Sequence, residues 1–298
     1  MALRASNLNI ALAHSGIDEV LKLQGKDETS IFRRYVDVIS NKMEYYRLQT
    51  MGGLGPATPV NQGQGIGFDD YTTPFRKDYY PLKYGVGFGI TTEALERDPY
   101  NVWKQKANDM ARSIKLAQEI SCASMINQAT SGTFTCPDGV TFASASHLRA
   151  TGTYSNILVG NSPLSITALE SAVNQDLAQV DHVGMPVMYS GTYSLLVPPA
   201  LAQLAQRLVK AAYLPQSNDN DPNVVAGSVT NVVVNPFFTS TTAWAIVANE
   251  KWYNPMKMVM NRETRLREME DVPHDRYVFA AFVNPASCRK NLAFTLVV

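Results

Sequence analysis

Nine of the chain's 18 glycines fall between Gly52 and Gly89, a window without Cys or His, and that crowding constrains the fold more than any other feature. Glycine costs a helix or strand interior about 0.5–1 kcal/mol relative to alanine and offers no side chain to bury. A segment so built contributes little to a core. Its first half carries Gly52, Gly53, Gly55, Gly63, Gly65 and Gly67; its second half alternates as Tyr84-Gly85-Val86-Gly87-Phe88-Gly89-Ile90. Period two with one bare face predicts a strand open to close approach. Two extended arms joined by a mobile tip, projecting away from any core, would explain the segment.

Charge is scarce and unevenly spread. Only 17% of the 298 residues are charged, against about 25% in ordinary soluble domains. The deficit sits in residues 150–250, with two basic and six acidic side chains among many Ser, Thr, Asn and small apolar residues. Such a stretch suits packing against neighbouring copies better than free solvation. Lys plus Arg and Asp plus Glu balance at 26 each, so no net field draws the chain to nucleic acid or acidic membranes. The apolar fraction of 45% supports a sizeable core and excludes a disordered or collagen-like chain.

Residues 1 to about 45 read as helical pieces, with Ile31-Phe32, Tyr35-Val36 and Ile39 at helical spacing. Asp98-Pro99 then supplies an N-cap and a first-turn proline, and neither Pro nor Gly interrupts before Gly132. Trp103, Ala107, Met110, Ile114 and Ala117 fall on one stripe of that helix, which could run about 30 residues, roughly 45 Å. Ser165 predicts a second N-cap, with Leu164 and Leu169 as a hydrophobic staple and Leu169, Val173 and Leu177 facing the core. Tyr193–Val197 reads as a buried strand ended by Pro198-Pro199, which starts a helix bearing Leu201, Leu204, Ala205 and Leu208. Two strands, Val229–Val234 and Ala243–Ala248, flank the Asn235-Pro236 turn, and strand-like runs recur at Lys257–Met260, Tyr277–Val283 and Leu292–Val298. The class is α+β.

Chemistry is hard to find. Gly63-x-Gly65-x-Gly67 lacks the helix that a phosphate loop requires. His14, His147, His182 and His274 form no metal-spaced pair, and His147 reads as a hydrogen-bonded structural histidine. Ser144, Ser146 and Ser190 lack the frame of a nucleophile elbow. Asp69-Asp70 and the Glu268, Glu270, Asp271 group read as solvated or inter-subunit charges, with Arg262, Arg265 and Arg267 as partners. Cys122, Cys136 and Cys288 have no paired spacing and read as buried or incidental thiols of a chain folded in reducing cytoplasm. The N-terminus shows no secretory signal and no apolar run approaches the ~20 residues of a spanning helix. The expectation is no catalytic residue, no cofactor and no metal.

Several stretches resemble one family. They are Asp138–Leu148 (DGVTFASASHL) with Thr153–Leu158 (TYSNIL), Pro163–Glu170 (PLSITALE), Leu195–Leu201 (LLVPPAL) with Ala205–Leu208 (AQRL), and Asn235-Pro236-Phe237 through Thr242-Ala243-Trp244. They are similar to segments of tailed-bacteriophage major capsid proteins, the Mu-like major head subunits, and cover residues 137–249 well. The order of elements extends the likeness over the chain. The resemblance implies the Hong Kong 97 type capsid fold. Residues 1–45 would be an N-terminal arm, 46–91 the extended loop lying across a neighbour, 92–154 a peripheral domain with its long spine helix, 155–250 an axial domain, and 251–298 a return to the peripheral domain.

The resemblance further implies a structural protein that assembles through hexamers and pentamers into an icosahedral shell around double-stranded DNA, to which a neutral lining would be only loosely apposed. Gly52, Gly53, Gly63, Gly65, Phe68, Phe75 and Lys77 are then candidate inter-subunit contacts, and Trp103, Met110 and Ile114 candidate core residues of the spine helix. The loop begins too early to leave room for a fused scaffold, which implies a separate scaffold or maturation protease, besides a portal and decoration proteins. The cross-linking chemistry of the fold's namesake finds no matching residues. The implied location is the virion, after assembly in the bacterial host cytoplasm and without a membrane. An encapsulin-like nanocompartment shell and an unrelated soluble enzyme are the competing readings, separable by shell formation and by turnover of a substrate.

Overall fold

The computed structural model describes residues 30–297 except 51–53, 69, 71–72, 98–101, 214–221, 251–253, 262–264, 272–275, 291–293 and single positions at 133, 159, 161, 183, 188 and 284, together with 150–151 and 290. The expectations for Gly52, Gly53, the Asp98-Pro99 cap, His14, His274 and most of the N-terminal arm therefore lie outside the described residues, as does the side chain of Trp103.

Four strands form the central layer. They are β7 (Tyr193–Val197), β8 (Val229–Val234), β9 (Trp244–Ala248) and β14 (Phe294–Val297), in the order β14-β9-β7-β8. β7 and β9 are buried throughout, and alternation sends their side chains into two different cores. Tyr193, Leu195 and Val197 join Trp244, Ile246 and Ala248 on one face, against α3 (Ile166–Leu177), α4 (Ala202–Lys210) and the short α5 (Val225–Ser228). Leu196, Ala245 and Val247 point the other way, into a core with Phe32, Tyr35, Cys122, Met125, Phe142, Met256 and Met258. A strand buried on both faces reads as a continuous apolar run, which is why YSLLV and WAIVA show no polar alternation.

Local signals set the helices of this layer. Ser165 Oγ accepts from the Ala168 N–H at 3.2 Å and caps α3, and Leu164 and Leu169 are both buried at its entry. Leu177, expected inward, is exposed instead, and Asp176 takes the buried position in the last turn of the helix. Pro198 and Pro199 end β7 and open a 3-10 turn that runs into α4, whose C-terminal carbonyls at Leu208 and Ala211 accept from Asn223 Nδ2. β8 and β9 do not pair with each other across the Asn235-Pro236 turn; β7 lies between them, parallel to β8 and antiparallel to β9.

The long helix is α2 (Val102–Asn127), which follows the short α1 (Thr92–Glu96). Its 26 described residues span roughly 39 Å. Ala107, Met110 and Ile114 are buried along the predicted stripe; towards the C-terminus Cys122, Ala123, Met125 and Ile126 are buried as well, because that end enters the second core. The other end packs along a sheet in the order β11-β12-β4, formed by β4 (Tyr84–Thr91), β11 (Arg265–Asp271) and β12 (Arg276–Val283).

Two placements correct the sequence reading. The alternating glycine strand is not the return arm of the loop: β4 pairs along its whole length with β12, Gly87 opposite Ala280. Its three glycines form the exposed face, while Ile90 is buried on the side where α2 packs. The tail does not stay in one part of the molecule either. β10 (Met256–Met260) joins β1 (Asp37–Ser40) and β13 (Pro285–Arg289) in a third sheet, whereas β14 crosses back to pair with β9.

Among the described residues of the expected N-terminal helical pieces there is one 3-10 turn, Phe32–Arg34, after which Val38 and Ile39 continue as β1, parallel to β10. β-Branched residues favour the strand once a partner edge is present. Asp37 and Lys257 face each other in that register and form an ion pair at 3.0 Å.

Candidate inter-subunit surface

The chain between β2 (Tyr46–Gln49) and β3 (Arg76–Tyr79) leaves the body as a hairpin with a four-residue base. Thr50 N–H adds one further backbone bond to Phe75 O, at 2.9 Å. Arg47 holds the base from outside, its Nε and Nη2 donating to the two Asp78 carboxylate oxygens at 2.7 and 2.9 Å. That fork holds the Asp78 carboxyl below its ordinary value, chiefly by direct hydrogen bonding. Arg47 also lies over the Tyr45 ring, which is 6.1 Å from that of Tyr80.

Two candidate contact residues fasten this base to their own chain. Lys77 Nζ donates to both the carbonyl and the hydroxyl of Thr135, just beyond the end of α2. Phe75 meets His182 edge-on at 5.4 Å.

Beyond the base, the described residues 54–68 contain neither helix nor strand. A turn at Asn61–Gln64 places Gly63 at φ +84°, a conformation that glycine adopts without strain. A Cβ added at Gly63, Gly65 or Gly67 would meet nothing within 4 Å. Leu54, Val60, Ile66 and Phe68 are exposed along the same segment, Phe68 completely so. Large apolar side chains held out on an excursion of the backbone are characteristic of a surface that another molecule covers.

Several titratable groups away from the hairpin make structural contacts. Glu119 on α2 accepts from the Ile31 and Phe32 N–H groups at 2.7 and 3.1 Å and so caps the 3-10 turn; burial raises its pKa and these two bonds offset part of the rise. His147 Nδ1 is 2.7 Å from Asp138 Oδ2, both side chains wholly buried, and its Nε2 faces Phe142 O at 3.2 Å. His147 lies on β5 (His147–Leu148) and stacks on Tyr154 of β6 (Thr153–Tyr154), whose ring carries Arg149 4.1 Å from its centre. Cys122 and Cys136 are buried and form no disulfide, and burial pushes the Cys122 thiol far up. No group of three His, Cys, Asp or Glu among the described residues is placed to hold a metal ion. No helix among them is long and apolar enough to cross a membrane.

Solved structures share this architecture. The virus-like particle from Pyrococcus furiosus is 12% identical with a TM-score of 0.57, covering 95% of this chain and 98% of that one. The capsid of the cyanophage P-SCSP1u is 12% identical with a TM-score of 0.57, over 90% and 87%. The procapsid of bacteriophage JBD30 is 11% identical with a TM-score of 0.54, over 96% and 74%. A search of curated proteins by sequence found no match.

A long helix laid on one sheet, a second sheet between two cores and an outlying hairpin thus define the Hong Kong 97 type of shell subunit, as the sequence resemblance implies. The chain belongs to the phage capsid protein family, whose model matches residues 76–290. It is a structural capsid protein of the virion.

Proposed function

We propose that this chain is the major head subunit of a tailed phage and assembles, through hexamers and pentamers, into an icosahedral shell around double-stranded DNA. It acts as a structural element and not as an enzyme. The observation that carries the reading is the hairpin tip: residues 54–68 expose Leu54, Val60, Ile66 and Phe68 to water, Phe68 completely. In a capsid family such a tip has its natural cover on the neighbouring subunit, at roughly 25 cal/mol per Å² of apolar area removed from water.

The charge-poor layer of α3, α4 and the four-stranded sheet then serves as the axial domain around the symmetry axes. The body of α2 and the β11-β12-β4 sheet serves as the peripheral domain. The base, anchored by Arg47–Asp78 and Lys77–Thr135, fixes the direction in which the loop leaves. Partners are further copies of the chain, a separate scaffold or maturation protease, a portal and decoration proteins, with assembly in the host cytoplasm and no membrane.

The test replaces Ile66 and Phe68 together by Ser in the full chain. Because neither side chain supports the body, the subunit keeps its melting temperature within about 1 °C, while shells give way to free subunits or rings on a sizing column. Normal shells from this variant would remove the tip from the interface.

The likeness to the Pyrococcus furiosus particle over nearly the whole chain favours one second reading, an encapsulin-like nanocompartment. Particles isolated from the native source decide between them. Packaged double-stranded DNA supports the phage head, and a protein cargo without DNA supports the nanocompartment.

A further inference from the structure

Asp176 is the next-to-last residue of α3, 3% exposed, and neither carboxylate oxygen has a hydrogen-bond partner among the described residues. The Tyr193 hydroxyl facing it from β7 has none of ordinary length either. A buried polar atom without a partner costs about 1–3 kcal/mol, more if charged. Its place near a helix C-terminus, the negative end of the macrodipole, adds to the cost of an anion.

The surroundings show why an anion is poorly served there. Tyr193 faces the carboxyl from β7, with the Tyr189 ring edge-on to it at 5.1 Å and Glu250 beside Tyr189. On the other side stands Tyr154 of β6, with Asp138 and Cys136 beyond it. Arg149, near Asp181, is the cation of this group, but it lies over Tyr154 and donates to Gln179 Oε1 at 3.5 Å, not to Asp176. Tyr193, Tyr189 and Tyr154 are thus the rings near Asp176, with carboxylates behind two of them and Arg149 engaged elsewhere. Its neighbours on α3 are tied down: Gln175 Nε2 donates to Ser155 O and Ile157 O, and Gln179 O accepts from Val187 N–H.

We propose that Asp176 is a proton-operated latch between α3 and β7: neutral, it lies in the seam without a buried charge and the last turn of α3 stays on the sheet; ionised, it is a buried anion faced by the Tyr193 O–H alone, too little to offset its burial, and that turn loosens. The inference does not depend on shell assembly. In support, burial pushes the Asp176 carboxyl up to about 6 from 3.8, with the Tyr193 hydroxyl opposing the shift. A carboxyl raised in the folded state binds more protons folded than unfolded between pH 3.8 and 6. Its contribution to stability is then full below 3.8, is lost as pH rises through 6, and stays lost above.

The experiment follows amide hydrogen exchange of residues 172–179 and 187–195 in the unassembled full-length chain from pH 4.5 to 7.5, corrected for intrinsic rates, in wild type and Asp176→Asn. Exchange of these amides in the wild type rises with a midpoint near pH 6, on the order of a hundredfold in the limit where the whole shift opens the turn, and is flat in the variant. Tyr193→Phe, which removes the facing hydroxyl, moves the midpoint upward and keeps the test decisive should Asp176→Asn fail to fold. Protection that is independent of pH in the wild type, or an equal pH dependence in Asp176→Asn, overturns the proposal.

Discussion

Single residues close the joints between segments far apart in sequence. Glu119 joins the first described turn to the middle of α2, and replacing it by Ala leaves the Ile31 and Phe32 N–H groups without their acceptor. The expected loss is about 2 kcal/mol, read as a lower denaturation midpoint with an unchanged slope. Asn235 donates to the Tyr35 hydroxyl at 3.0 Å and Asn254 to the Tyr35 carbonyl at 2.9 Å, binding the same turn to the loops that enter β9 and β10. None of these partners could be found in the sequence, since separations of 87 to 219 residues leave no local pattern. The Ser165 cap was legible because a cap is a local event: one hydroxyl, three residues from the N–H it accepts. His147 was legible in kind, as a bonded structural histidine, but its partner Asp138 was not.

Elements divide along the same line. The stripe of α2 was readable from four-and-three spacing, and Met110 lies on it, buried where the helix meets the sheet. Met110→Ala is expected to destabilise the isolated subunit by about 2–5 kcal/mol, measured by chemical denaturation. A cost below 1 kcal/mol would show that this seam relaxes around the gap. Strand existence was also readable, from Tyr193–Val197 to Tyr277–Val283, whereas strand partnership was not. β7 separates β8 from β9, and β4 finds β12 nearly two hundred residues later. Alternation says that one face of a strand is bare; it does not say which edge completes the ladder. The glycine alternation therefore fits a loop arm as well as a sheet strand, and β4 is a sheet strand with its glycines outward.

At the scale of the molecule, scarce charge and an exposed apolar hairpin point the same way. A subunit with 17% charged residues and Ile66 and Phe68 in water is incomplete alone. Two cores sandwich β7 and β9 in the body from which that hairpin leaves. Curvature of a shell depends on the angles between subunits, because a heterologous contact closes only when its rotation does. The central claim is that this body and hairpin build closed shells. Its most direct test is electron microscopy of the full-length chain, expressed alone and together with a candidate scaffold protein. The account predicts closed shells, or isolated hexameric and pentameric rings, in at least one of the two preparations. A uniform monomer in both would contradict it.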